Sequence, residues 1–310
     1  IISCKVGYLL DGDFFNFLFF VQRPESRDKV ALCAKNSARW GITFFAANTY
    51  EAVLVPILAD FHPDSVNSLV DHSESIVLLT DTDIWTKLDI TKMPTVKAVI
   101  SSSDFSILYA ASESIQAAHD KVDEIFNSKY PDGFKPEHIS YPTDNEKDLA
   151  IINYTSGTTS APKGVMLRYE CLSENVAFGQ KRLPCYPGDQ IVAMLPMAHM
   201  YGMAFEFLYE LTIGMHINFL TRIPSPKIIF QALNEIKPSV IVAVPLIIEK
   251  IIKKNVLPKL EKPGTKLLLK VPIVNETILA KVREKMISSF GGNFYEVIVG
   301  GAAFNQEVEN

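Results

Sequence analysis

Residues Tyr154 to Leu167 read YTSGTTSAPKGVML and gather Thr155, Ser156, Thr158, Thr159 and Ser160 around Gly157, Gly164 and Lys163. Hydroxyls donate to phosphate oxygens, glycine lets backbone N–H groups crowd around them, and a lysine offsets part of their charge. The combination suits a polyphosphate. An apolar run, Leu149 to Ile152, precedes it and ends in Asn153, so the pattern reads as a strand spilling into a loop. It is not the Walker A loop, because Pro162 stands five residues after Gly157 and Lys163 is followed by Gly164 rather than Ser or Thr. Clusters of Ser, Thr and Gly are most often ordinary surface loops, so the composition alone does not make a site.

Two further stretches could carry chemistry. The apolar run Asp189 to Leu195 leads into Pro196, Met197, Ala198, His199, Met200, Tyr201 and Gly202. Proline and glycine mark a sharp exit from the carboxyl end of a strand, where ligands collect in open α/β sheets. Taken alone, a histidine near an apolar helix is more often a satisfied structural residue. The run Phe294 to Val299 meets Gly300, Gly301, Ala302 and Ala303, small residues that let a flat ring approach the backbone. On its own that turn is weak evidence.

The elements that must position these residues follow a wound pattern. Lys29–Ala34, Val53–Ile57, Ser75–Thr80 and Val96–Ser101 read as buried strands, with helices expected at Ala38–Tyr50 and Asp64–Asp71. Strands that are continuous β-branched runs, alternating with helices, imply a mostly parallel α/β sheet covered on both faces. Ile115, Ala118, Val122 and Ile125 keep the spacing of one helix, and the polar, proline-containing stretch that follows reads as an exposed linker. His119 and His138 are expected to be solvated there. The boundary between two α/β lobes, 1–147 and 148–310, is placed at its end, with the phosphate loop in the second lobe.

Val165–Leu167 can re-enter the sheet, and helices are expected over Tyr169–Gly179 and from about Met203 to Ile213. Strands follow at Met215–Leu220 and Val240–Val244. Between them Ser225 caps a helix with Pro226 in its first turn, and Ile229, Ala232, Leu233 and Ile236 form its apolar stripe. Asn275 reads as the cap of a helix with Ile278, Leu279, Val282 and Met286 on one side. The lysines from Lys250 to Lys270 read as a solvated helix face, although contact with an anionic membrane surface would also suit them.

With 310 residues, 48% hydrophobic and 21% charged, the chain can bury a sizeable core. A net charge of −5 supplies no basic field for nucleic acid, so an anionic nucleotide must be held locally. Cys4, Cys33, Cys171 and Cys185 are scattered without C-x-x-C spacing. They fit inert buried thiols in a reducing cytoplasm rather than a disulfide framework or a zinc site. The richest apolar stretch, Phe14–Val21, is too short to span a membrane and is interrupted by Asn16. The chain opens at Ile1 without a basic leader, and its last stretch, VGGAAFNQEVEN, stops just as a helix is expected to begin, which reads as a piece of something longer.

The run YTSGTTSAPKGV resembles the phosphate-binding signature of the AMP-forming adenylating enzymes, the superfamily of acyl-CoA synthetases, luciferases and peptide-synthetase adenylation domains. LPMAHMYG resembles the second signature of that family, VGGAAFNQEVEN its adenine-facing turn, and KPSVIVAVPLIIEKI the wall of the acyl site in long-chain acyl-CoA synthetases. The segment from Asp28 to Asp81 also runs like the family, whereas the residues before Arg27 do not fit it. Many members carry a basic residue where this chain has Leu246, so no role for that charge carries over.

The resemblance implies the large amino-terminal domain of an adenylate-forming enzyme, cut before its small carboxyl-terminal domain. A carboxylate would attack the α-phosphate of ATP to give an acyl-adenylate and pyrophosphate, and the thiol of coenzyme A would then take the acyl group. It implies that Thr155, Ser156, Gly157, Thr158, Thr159, Ser160, Lys163 and Gly164 hold the phosphates. Mg²⁺ would bridge the β and γ phosphates and touch Thr155. It places His199 beside the substrate carboxylate and Gly300, Gly301, Ala302 and Ala303 around adenine. The family's Mg²⁺-binding glutamate, ribose-binding aspartate and adenylation lysine would lie beyond Asn310, so the fragment is expected to be inactive alone. A fatty-acid CoA ligase acting on long chains is the reading, with an aryl- or amino-acid-adenylating enzyme, or a non-catalytic nucleotide-binding module, as alternatives. Such an enzyme would be cytoplasmic, with a peripheral membrane contact and a homodimer both left open.

Overall fold

The computed structural model describes residues 2–3, 28–49, 51–135, 145–155, 163–222, 224–255, 258, 272–303 and 305. Its contacts divide the chain into two units. One, here the amino-terminal unit, comprises Lys5–Ala177 and Pro196–Met200; the carboxyl-terminal unit comprises Ile1–Cys4, Phe178–Leu195 and Tyr201–Asn310.

The amino-terminal unit is built on a seven-stranded sheet of β2 (Lys29–Cys33), β3 (Val53–Pro56), β4 (Val77–Thr80), β5 (Ala98–Ser101), β6 (Ile107–Ala110), β7 (Leu149–Thr155) and β8 (Lys163–Arg168). Its order is β6-β5-β4-β2-β3-β7-β8. The pairs β2–β3, β2–β4, β4–β5 and β3–β7 are parallel, and the two ends of the sheet are closed by the antiparallel pairs β5–β6 and β7–β8. Val30 to Cys33 and Val77 to Leu79 are buried without alternation. That is the signature of a sheet with both faces covered, and each fully buried aliphatic side chain contributes about 1.5–3 kcal/mol. Helix Pro63–His72 turns Val66, Leu69 and Val70 onto one face, where they join Ala31, Val55, Leu78 and Val99. Cys33 lies in the same cluster, and burial pushes its thiol up to about 12, so it is inert as expected.

The carboxyl-terminal unit holds β1 (Ile2–Ser3), β9 (Gln190–Ala193) and β10 (His216–Phe219) in the order β1-β10-β9, and the parallel pair β11 (Val240–Ala243) and β12 (Glu296–Val299). Ser239 N–H donates to Gln190 O at 2.9 Å, which joins β11 to β9 at their start. Helix Pro226–Ile236 begins as its sequence demands: Ser225 accepts from Ile228 N–H, and Ile229, Ala232 and Leu233 are buried. Those three pack with Val192, Met194, Leu220, Ile241 and Phe290 in the core.

Several expectations are corrected. The strands that flank the phosphate loop extend the first sheet through β3–β7, so the contacts do not divide the chain at 147/148. β6 is an additional strand, formed because Phe105 takes a left-handed backbone (φ 61°) and turns the chain back beside β5. The single helix expected after Ala111 is two, Glu113–Asp120 and Val122–Lys129, separated at Lys121, whose φ of −103° and ψ of 7° leave the helical region. His119 is half-buried rather than solvated, with Nε2 3.2 Å from Phe105 O. The last long helix starts at Pro272, a residue well suited to a first turn, so Asn275 lies inside it and does not cap it. His138, Cys4, the aromatic cluster Phe14–Val21 and Lys259, Lys262, Lys266 and Lys270 fall outside the described residues. Among the described residues no helix is long and apolar enough to cross a membrane.

Candidate nucleotide and carboxylate site

β7 and β8 form a hairpin whose register places Thr155 opposite Lys163 and Tyr154 opposite Gly164. Paired antiparallel strands lie about 4.8 Å apart, so Thr155 and Lys163 are close neighbours at the end of the hairpin. Ser156, Gly157, Thr158, Thr159 and Ser160 lie outside the described residues. What the fold provides is the mouth of the loop: the exposed Thr155 on one side and the exposed Lys163 on the other. A hydroxyl and an ammonium thus stand side by side where the two strands end.

Gly164 is small because an aromatic ring crosses it. A Cβ there would lie 2.8 Å from Ile152 Cγ2 and 3.3 Å from Tyr154 Cε1. The Tyr154 hydroxyl is 2.6 Å from His72 Nδ1, and the two rings meet edge to face at 5.7 Å, which ties the hairpin to the end of helix Pro63–His72. Gly164→Val is therefore expected to displace Tyr154 and lose about 1–3 kcal/mol of stability by overpacking. Urea unfolding of the two proteins measures it, and equal midpoints would show that the ring has room to move.

The second stretch leaves β9 and enters a tight turn in the amino-terminal unit, closed by His199 N–H donating to Pro196 O at 3.0 Å. Met197 and Ala198 are buried and His199 is exposed, so the turn is anchored by its apolar members and presents the imidazole to solvent.

In the carboxyl-terminal unit, Gly300 N–H donates to Ala243 O at 3.2 Å, which continues the β11–β12 ladder into the small-residue turn. A Cβ on Gly300 would lie 2.8 Å from Cζ and the hydroxyl oxygen of Tyr201, and Gly301 adopts a φ of +82°. Glycine is required here, and the flat group against Gly300 is the protein's own Tyr201. Gly301, Ala302 and Ala303 stay exposed. Burial pushes the Tyr201 phenol up to about 12, and negative charge at Glu206 and Glu210 acts in the same direction.

Those two glutamates carry no sequence signal, since acids in a helix are normally solvated. The helix expected from Met203 starts at Met200 and passes through a π-helical turn, Ala204–Leu208, before continuing as Tyr209–Ile213. Glu206 is fully buried and Glu210 is 1% exposed. Glu206 Oε2 accepts the Leu195 N–H at 2.6 Å, where β9 has run out of strand partners. Burial holds Glu206 well above the ordinary carboxylate range, against the lowering effect of the Leu195 and Met194 N–H groups. Burial likewise pushes Glu210 up to about 8, opposed by a backbone hydrogen bond. Glu210 therefore keeps its proton at pH 7.

No cluster of three acidic, histidine or cysteine side chains able to hold a metal occurs among the described residues. At the loop mouth the exposed Thr155 offers one hydroxyl oxygen, a donor that a hard cation carried by a polyphosphate could take beside substrate oxygens and waters.

Residues 23–310 match the family model for the AMP-binding enzyme. The chain is 26% identical over 313 residues to long-chain-fatty-acid–CoA ligase 5 of Rattus norvegicus, covering 92% of this chain and 44% of that protein. It spans about half the length of the curated relatives it matches. Among solved structures it superposes on the N-terminal domain of FACL13 from Mycobacterium tuberculosis with a TM-score of 0.64 and 18% identity, over 96% of this chain and 63% of that one. ATP-bound MatB from Rhodopseudomonas palustris gives 0.66 at 18% identity, over 97% of this chain and 50% of that one. These likenesses support the mostly parallel α/β fold of an adenylate-forming amino-terminal domain. With a matched model running through both the phosphate-loop hairpin and the Gly300 turn, this chain belongs to the AMP-binding enzyme family.

Proposed function

We propose that the protein uses ATP to activate a fatty acid, with long-chain acids as its substrates and coenzyme A as the acceptor. A carboxylate oxygen bonds to the α-phosphorus, the bond to the β-phosphate oxygen breaks, and pyrophosphate leaves. The thiol sulfur of coenzyme A then bonds to the acyl carbon and AMP departs. The observation that carries this reading is the hairpin register, which sets Thr155 against Lys163 at the mouth of the hydroxyl-rich loop.

In this reading the loop from Thr155 to Gly164 grips the β and γ phosphates through backbone N–H groups and the hydroxyls of Thr155, Ser156, Thr158, Thr159 and Ser160. Lys163 stabilises charge that grows on the departing pyrophosphate, as preorganised cations do in such transfers. His199 orients the carboxylate, and the turn Gly300–Ala303 receives adenine. Mg²⁺, when bound, neutralises phosphate charge and holds the triphosphate in one geometry. Preference for fatty acids rests on low-identity relatives named as long-chain ligases.

Two measurements test it. Adding ATP with Mg²⁺ to isotope-labelled chain is expected to shift the amide signals of residues 155–164 selectively. Acid-dependent exchange of pyrophosphate into ATP by the full-length protein, run with long-chain fatty, aryl and amino acids, is expected to favour the fatty acids. Exchange driven best by an aryl or amino acid would reassign the substrate, and amide signals indifferent to ATP would remove the phosphate site itself.

A further inference from the structure

The apolar strand β7 carries one polar residue pointing into the protein. Asn153 is 8% exposed in a run that is otherwise aliphatic. A buried amide without partners costs about 1–3 kcal/mol, so its placement requires a compensating bond. The bond is long-range: Asn153 Nδ2–H donates to Ala198 O at 2.9 Å. The next residue is His199. On the other side of the same turn, Asn36 Oδ1 accepts the Met197 N–H at 2.9 Å.

We propose that Asn153 and Asn36 are positioning residues that clamp the turn carrying His199, and that Asn153 couples this turn to the phosphate loop. Pro196 has no N–H, Met197 N–H is held by Asn36, Ala198 O by Asn153, and His199 N–H closes the turn on Pro196 O. Each of the four residues therefore has its backbone constrained. Met197 and Ala198 are also buried, so the backbone that carries the imidazole is held in place. Asn153 lies two residues before Thr155, where the phosphate loop leaves the sheet. One amide thus fixes where the carboxylate-orienting histidine sits relative to the strand that delivers the phosphate-binding groups. Near-attack geometry is intolerant of displacement, and an error of about 1 Å can cost on the order of 10²-fold in rate.

The assignment of His199 to the carboxylate rests on the adenylating reading, but the clamp does not, and the test separates them. Histidine ring signals of the chain are recorded in the unaltered protein and in Asn153→Asp, Asn36→Ala and His199→Ala, the last serving to identify the His199 resonance. Asn153→Asp keeps the volume and replaces the donor with an oxygen facing Ala198 O. The His199 signal is expected to move in both asparagine variants while that of His216, in the carboxyl-terminal unit, stays in place. Should Asn153→Asp fail to fold, Asn36→Ala alone carries the comparison. In pyrophosphate exchange by the full-length protein, both variants are expected to lose about tenfold in kcat with KM for ATP within about twofold of the original. An unmoved His199 signal in both variants overturns the clamp, as does unchanged kcat. A moved signal in a full-length protein that exchanges no pyrophosphate with any acid upholds the clamp and overturns the reaction.

Discussion

In the full-length protein, under the proposed reaction, Lys163→Ala is expected to lower kcat for acid-dependent pyrophosphate exchange by about 10²–10³-fold, the loss typical of removing one preorganised donor from developing negative charge. The fold contributes the reason for so large an effect. Lys163 opens β8 directly opposite Thr155, so its charge is delivered by a paired backbone rather than by a free loop. Its side chain is exposed and removing it leaves no buried group unpaired, so the variant should fold as the original does. Lys163→Arg keeps the charge on a different geometry and should recover part of the rate. Under the same proposal KM for the carboxylic acid should hardly change, because the loop is assigned to the triphosphate. Exchange by Lys163→Ala within about twofold of the original rate would remove Lys163 from the chemistry.

The second large effect concerns stability. The unfolded chain loses the Glu210 proton near pH 4.5, whereas the folded chain keeps it up to about pH 8. Below pH 4.5 both states are protonated and no charge is being excluded. As pH rises from 4.5 to 8, only the unfolded state ionises, so stability falls by about 1.4 kcal/mol per pH unit and then levels off. At pH 7 the accumulated loss is about 3 kcal/mol. Glu210→Gln removes the titrating proton while keeping the shape, and should stabilise the carboxyl-terminal unit by about that amount at pH 7 and little at pH 4. Chemical denaturation of both proteins at the two pH values reads the difference directly. A gain of the same size at both would mean that Glu210 is already ionised in the folded protein. Glu206 shifts in the same direction for the same reason, and its two backbone donors oppose the shift. They also make it the less suitable residue to replace.

Legibility differed sharply between local and distant features. The buried strands at Lys29, Val53, Val77, Ala98, Gln190, His216 and Val240 were each readable within a residue or two, because a strand covered on both faces needs an unbroken apolar run. Ser225 and Pro226 were readable as a helix start because capping is decided by adjacent residues. The short, half-buried β6 had no such run, and its direction was settled by one left-handed residue, Phe105. Asn275 looked like a cap, yet the helix began earlier at Pro272, where the missing N–H carries no penalty.

By itself the amino-acid order determined the class of fold and the family, and it supplied the residues proposed to touch a nucleotide, since each depends on residue types at short spacing. Only the tertiary structure decided what holds those residues in place. It set Thr155 against Lys163, laid Tyr154 over Gly164 and Tyr201 over Gly300, buried Glu206 and Glu210, and brought Asn153 and Asn36 to one turn. The physical reason is range: periodicity records which face of an element avoids water. A hydrogen bond between residues 45 or 161 positions apart depends on how the strands are ordered in the sheet.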